Sequence, residues 1–460
     1  MSVLKNRFLK LSILLAFGLI FISATIDLNH LFNYANQDIP EYVIQDNSGN
    51  NPINNKTATL GRVLFYDKKL SSNGSIACAS CHVQEHAFGD PNVQSQGVNG
   101  LAGRHSMRLV NARFSNENSF FWDERAETLE EQTTQPIRDH IEMGFSGTNG
   151  DPTFDDLNNY LQSIDYYNTL FEFAYGDSQI TENRMQLALA QFIRSVQSFD
   201  SRFDEGLVLM NYANEPFPNF TSKENRGKDL FLNIGCADCH IPSGFALHIN
   251  SFNNGVITVA GMPGEIDITN IRAPSLRDLA KPDGTLNGPF MHDGSFATLL
   301  EVINHYNHIP NNPENTNLDS RLRDPNGEPQ QLNLTESEKH ELVAFLKTLG
   351  GSDMYTNEKW SNPFEPDGSI KIIEEGLTIY DESTTPTISI FPNPVINTAT
   401  VKTNLGVFKL SIYSSTGGLL FEKDAFSRTE IDLTSLSTGL YFVKITSSDG
   451  TQINTRVIKE

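Results

Sequence analysis

Four cysteines constrain this chain more than any other feature of its 460 residues. They fall into two pairs, Cys78-Ala-Ser-Cys81 and Cys236-Ala-Asp-Cys239, and a histidine follows each pair, His82 and His240. None is left over for a disulfide framework. Two thiols three positions apart on an incipient helical turn can both reach the vinyl groups of one haem, and the next histidine then meets the iron. Zinc would consume both pairs in one four-sulfur site and leave the adjacent histidines unexplained. The reading is two covalently bound c-type haems. Cys78, Cys81 and His82 hold the first, and Cys236, Cys239 and His240 the second.

The pairs begin at residues 78 and 236, which leaves room for one small helical domain around each. Thr221-Ser-Lys-Glu224 is a capping-box pattern opening a helix that runs into Cys236. Thr335-Glu-Ser-Glu338 opens another, with Leu342, Phe345, Leu346 and Leu349 on one face and Gly350-Gly351 ending it. Met185, Leu189, Phe192, Ile193 and Val196 recur at helical spacing and read as core of the first domain.

The ends of the chain differ from its middle. Lys5, Arg7 and Lys10 precede an apolar run from Leu11 to Ile22, the pattern of a secretory signal over residues 1–24. That run is short for spanning, so no stable membrane insertion is expected. From about residue 387, alternating runs such as Phe408-Lys-Leu-Ser-Ile-Tyr413 and Leu440-Tyr-Phe-Val-Lys-Ile445 are separated by turns at Gly417-Gly418 and Asp449-Gly450. Those features predict a small β-sandwich. Lys and Arg number 34 against 56 Asp and Glu, a net charge of −22, which disfavours nucleic acid and suits a basic partner. The expected architecture is mainly α. It comprises the signal, haem domains at 25–205 and 206–350, a linker at 351–386 and the β-domain at 387–460.

Two resemblances extend this reading. Phe391-Pro-Asn-Pro394, Ile412-Tyr-Ser-Ser-Thr-Gly417, Leu436-Ser-Thr-Gly-Leu-Tyr-Phe442 and Arg456-Val-Ile-Lys459 resemble the type A sorting domain of the type IX secretion system. That implies passage through the periplasm to the cell surface or beyond, handled by the secretion machinery, with removal of the tail. Further upstream stand Leu60-Gly-Arg-Val-Leu-Phe-Tyr-Asp67, Phe121-Trp-Asp-Glu-Arg-Ala126, Leu129-Glu-Glu-Gln132, Glu142-Met143 and Pro289-Phe-Met-His-Asp-Gly294. With the two haem motifs, they resemble the bacterial dihaem cytochrome c peroxidase family, which includes the methylamine-utilisation enzyme MauG. The likeness spans roughly residues 55–350.

The second resemblance implies roles residue by residue. Trp122 would lie between the haems and pass electrons. Gln132 and Glu142 would line the distal face of the first haem. Cleaving a bound peroxide requires a group that takes a proton from the inner oxygen and gives it to the outer one. A carboxylate whose pKa is raised towards neutrality by an apolar pocket can do both. No histidine stands in the loop 95–103 before Trp122, and His86 reads as structural, so the first iron is expected to be open. The segment Glu301-Val-Ile-Asn-His-Tyr306-Asn307 places Tyr306 at the second iron's remaining position, with His305, His308 and Met291 as competitors. His292 and Arg272 match positions near the second haem.

Two departures stand out. Arg104-His105 lacks the asparagine that commonly holds an interdomain calcium, so calcium stays open, with carbonyls of Asn287 and Pro289 as remaining donors. Glu124 replaces a small residue beside Trp122, without an evident purpose. The leading expectation is a peroxidase that reduces hydrogen peroxide to water with electrons from a small donor such as cytochrome c. Its rivals are a MauG-like oxidase that uses high-valent iron to modify a protein, and a dihaem electron carrier without turnover.

Overall fold

The computed structural model describes residues 25–115, 119–210, 212–242, 244–246, 251–373, 388–447 and 452–460, so the expected signal at 1–24 lies outside the described residues. The chain divides into two compact units, Met1–Glu375 and Gly376–Glu460.

In the first unit, the described α-helices begin with α1 (Asn55–Tyr66), α2 (Cys78–Cys81), α3 (Leu129–Arg138), α4 (Phe154–Gln162), α5 (Asp165–Tyr175), α6 (Glu182–Ser195) and α7 (Arg202–Met210). Then come α8 (Ser222–Asn233), α9 (Cys236–Cys239), α10 (Leu299–Asn307) and α11 (Glu336–Leu346). Both capping boxes form as expected, with Thr221 and Thr335 accepting from the backbone N–H of Glu224 and Glu338. Helix α8 stops at Asn233, before the cysteine pair. Gly235 at φ 98 turns the chain into α9.

Two separate apolar cores organise this unit. The first gathers Leu60, Val63, Leu64 and Phe65 of α1 with Met185, Leu189, Phe192 and Ile193 of α6. The second gathers Phe231 of α8 with Leu342, Phe345 and Leu346 of α11. Each rests on a close helix crossing that needs a glycine. A Cβ on Gly61 would stand 2.0 Å from the Ala188 carbonyl oxygen, and one on Gly227 would stand 1.9 Å from that of Glu341. Gly61 and Phe65 on α1 thus repeat as Gly227 and Phe231 on α8.

The loops repeat as well. Phe120 bridges Ala126, and Phe290 bridges Phe296. Phe121 and Met291 have φ near +70 (70 and 71). Thr128 then caps α3 as Thr298 caps α10. Helical turns nonetheless make up only 31% of the described residues. Long irregular segments wall two cavities, so much of the interior is shaped for a guest and less by helix against helix.

Residues 351–373, expected as linker, are folded onto the first core. Trp360 and Met354 are buried there, and Lys371–Ile373 (β2) pairs in parallel with Thr25–Asp27 (β1). Tyr34 and Tyr66 donate hydrogen bonds to the carbonyls of Lys359 and Trp360.

The second unit holds β3 (Ile388–Phe391), β4 (Thr398–Tyr413), β5 (Leu419–Asp432), β6 (Gly439–Ser447) and β7 (Gln452–Lys459). The described strands are hydrogen-bonded into one continuous antiparallel five-stranded sheet. The reason is the length of β4. Its start pairs with β3 and its end with β6 along one side, while β5 follows the other. Val401, Leu410, Ile412, Val443 and Val457 form its core.

Candidate functional site: two cavities with a shared wall

The first cavity, about 620 Å³, is lined by Cys78, Cys81 and His82 together with Gln132, Glu142, Trp122 and Arg125. The second, about 180 Å³, is lined by Cys236, Cys239, His240, Tyr306, Met291 and Trp122. Each cysteine pair occupies a single helical turn, α2 or α9, and all four thiols are free.

His82 Nδ1 lies 3.1 Å from the Phe88 carbonyl, and His240 Nδ1 lies 3.1 Å from that of Phe245. A carbonyl can only accept, so each Nδ1 carries the proton and the other ring nitrogen is left for a metal. Burial lowers both imidazole pKa values, that of His240 to about 4, which keeps the rings neutral.

Glu142 and Gln132 reach the first cavity by different routes. Gln132 stands on α3, whose N-cap Thr128 accepts from Glu131 N–H. After α3 ends, the Asp139 carboxylate accepts from the backbone N–H of Ile141 and Glu142, forming a turn that brings Glu142 to the cavity wall. Burial there, reinforced by the charge of Asp139, raises the Glu142 pKa to about 7.

Trp122 lines both cavities, as do His105, Arg108 and Arg272. Its indole N–H donates to the His105 carbonyl at 2.7 Å, and its own carbonyl accepts from Arg272 N–H at 2.7 Å. The His292 ring packs edge-on at 6.3 Å. His292 lines the first cavity and is absent from the wall of the second, contrary to the expectation for it. The loop repeat accounts for this, because His292 stands where Trp122 does in the first half.

At the second cavity, the competitors of Tyr306 separate. His305 Nε2 is engaged by the Asn254 carbonyl at 2.9 Å, and neither His305 nor His308 lines the cavity. Tyr306 and Met291 do, and burial pushes the Tyr306 phenol well above its ordinary pKa. His86 binds the Gly288 carbonyl at 2.7 Å, which suits a structural part.

Glu124 proves to be a clasp. Its carboxylate accepts from Ser251 N–H and Oγ and from Asn270 Nδ2, tying the Trp122 loop to residues 251–270.

Sequence reasoning missed Arg108. Its Nε is buried without a hydrogen-bond partner among the described residues, while its Nη1 donates to the Asn287 carbonyl at 3.4 Å and its guanidinium lies over the Phe290 ring. This buried cation on the wall of two cavities makes no direct ion pair among the described residues. Haem propionates would provide one, so the residues present fit two haems. For calcium, no group of three or more His, Cys, Asp or Glu among the described residues is placed to hold a metal ion.

Comparisons with known proteins find relatives of both parts of the chain. The di-haem cytochrome c peroxidase family profile matches residues 55–209, and that of a secretion system C-terminal sorting domain matches 389–460. The methylamine utilization protein MauG of Methylophilus methylotrophus is 31% identical over 317 residues, 65% of this chain and 84% of that protein. The cytochrome c551 peroxidase of Nitrosomonas europaea is 29% identical, over 65% of this chain and 81% of that one. A crystal structure of a MauG-like protein associated with microbial copper homeostasis superposes with TM-score 0.58 at 30% identity, covering 71% of this chain and 99% of its own. The chain is therefore an oxidoreductase of the dihaem cytochrome c peroxidase family that includes MauG, and it carries a C-terminal secretion sorting domain.

Proposed function

We propose that the protein is an exported dihaem peroxidase that reduces hydrogen peroxide to water with electrons from an external donor such as cytochrome c. The observation that carries this reading is the joint placement of Glu142, Gln132 and His82 on one cavity, with Glu142 raised to about 7. Covalently held by Cys78/Cys81 and Cys236/Cys239, the haems would supply redox equivalents and the iron that binds peroxide.

The chain's own residues supply the rest. Glu142, ionised, takes the proton from the inner peroxide oxygen and returns it to the outer one, which leaves as water. The Gln132 amide holds the peroxide by hydrogen bonding. Trp122, on the wall of both cavities, passes electrons from the second to the first. The acidic surface attracts a basic donor. The sorting domain directs the chain through type IX machinery, by way of the periplasm, to the cell surface.

One observation favours a second reading, a MauG-like oxidase acting on a protein. Tyr306 is buried on the second cavity, and phenolate ligation would lower that haem's potential and make it a store of oxidising equivalents. Steady-state oxidation of reduced cytochrome c by peroxide separates the two, with sustained turnover expected for the peroxidase. In a Tyr306→Met chain, thioether ligation should raise the second haem's potential and alter its spectrum. An unchanged spectrum and potential would remove Tyr306 from the iron.

A further inference from the structure

Asp67, at the end of α1, is 3% exposed and receives two phenols on one carboxylate oxygen. Tyr167 Oη donates to Oδ2 at 2.8 Å and Tyr166 Oη donates to the same atom, while Oδ1 accepts from Lys69 N–H at 2.9 Å. The two rings lie 4.6 Å apart between centroids. Tyr167 is fully buried within electrostatic reach of Cys78, which packs against the same core. Tyr166 is half-buried, and beyond it Tyr160, 47% exposed, is close enough for its phenol to influence that of Tyr166. Two phenols thus stack on one carboxylate in the core that also packs Cys78, one buried and one reaching towards solvent.

We propose that Tyr167 and Tyr166, with Asp67 as their shared proton acceptor, relay an oxidising equivalent from the first haem to an external donor at the half-buried Tyr166. The relay rests on the peroxidase reading, in which that haem becomes oxidised during turnover. Burial and the Asp67 charge both hold the phenols above their ordinary pKa, so each is protonated at rest and must shed its proton as it is oxidised.

The balance is simple. The Tyr167 O–H bond breaks, an O–H bond forms on Asp67, and one electron passes to the haem, which is reduced by one unit. When Tyr166 re-reduces Tyr167, the first proton returns from Asp67 and the proton of Tyr166 takes its place. An external one-electron donor then restores Tyr166, which recovers its proton from Asp67. Two phenols on one carboxylate would equally satisfy a structural demand, so the test must read the radical itself.

The ferric holoprotein is mixed with hydrogen peroxide, freeze-quenched and examined by electron paramagnetic resonance, with the Soret band recorded on the same samples. A tyrosyl signal is expected, lost in Tyr166→Phe/Tyr167→Phe and retained in Tyr175→Phe. Asp67→Asn should diminish it and Asp67→Glu restore it. Should the double variant fail to fold, 3-fluorotyrosine placed at 166 or 167 keeps the hydroxyl and must add a fluorine splitting. An unchanged Soret band would contradict the peroxidase reading alone. The relay is then tested without peroxide, by flash-quench oxidation of the haem with tris(bipyridine)ruthenium. A radical that ignores every change at 166 and 167, or no radical by either route, overturns the relay.

Discussion

A Glu142→Gln chain is expected to react with hydrogen peroxide about 10²- to 10⁴-fold more slowly than the parent, the usual cost of losing a positioned general acid–base group. The amide has the size of the carboxyl but cannot take the peroxide proton. The parent's rate should also depend on pH. The Glu142 carboxyl, raised by burial to about 7, is protonated below that pH and ionised above it. Its second-order rate with peroxide therefore climbs as pH rises towards about 7 and then levels off, whereas the variant's rate loses this dependence. Stability moves the other way. A carboxyl with its folded pKa above its unfolded one costs stability as pH rises through that window, and glutamine removes the cost. Rapid-mixing rates across pH, with thermal unfolding on the same samples, check both halves. A variant as fast as the parent would take Glu142 out of the proton transfer.

The second large effect is on folding. Trp360→Ala should cost about 3–5 kcal/mol, as buried tryptophan truncations do. Trp360 is 1% exposed, its indole N–H donates to Ser195 Oγ at 3.2 Å, and Arg62 holds the following Ser361 carbonyl at 2.6 Å. Because α1 and α6 also frame the first cavity, with Phe65, Leu189 and Ile193 on its wall, loosening this strap should soften that wall too. Denaturant unfolding of the holoprotein measures the loss. A change below 1 kcal/mol would mean that residues 351–373 behave as the linker their sequence suggests.

That strap marks where sequence stops being legible. Thr221 and Thr335 announce their helices because a capping box is local, four residues wide. The two haem motifs are local in the same way, and the alternation in Phe408–Tyr413 marks a strand. Trp360 and Met354 carry no periodicity, so nothing in 351–373 distinguishes a packed strap from a tether. The loop repeat did leave a signal, Thr128-Leu129 and Thr298-Leu299, each eight residues after Phe120 or Phe290. The differing residues between them hid it, and with it the reason His292 turns to the first cavity.

Other features exist only in three dimensions. Arg108 acquires meaning from an unpaired Nε between two cavities, and Asp67 from phenols a hundred residues away. Glu124, unaccountable in sequence, turns out to clasp residues 251 and 270. The sorting tail was recognisable from short motifs, yet the pairing of its strands was not. Strand pairing depends on β4 being long enough to serve two partners, which alternation alone does not reveal.

In the proposed reaction the first haem site, at His82, stands open to peroxide with Glu142 beside it. Mixing the fully oxidised holoprotein with hydrogen peroxide in a stopped-flow spectrophotometer tests it most directly. The haem spectrum should change at once, without prior reduction and without an electron donor. A spectrum that stays unchanged until the protein has been partly reduced would contradict it, because it would mean that a side chain closes the first iron at rest.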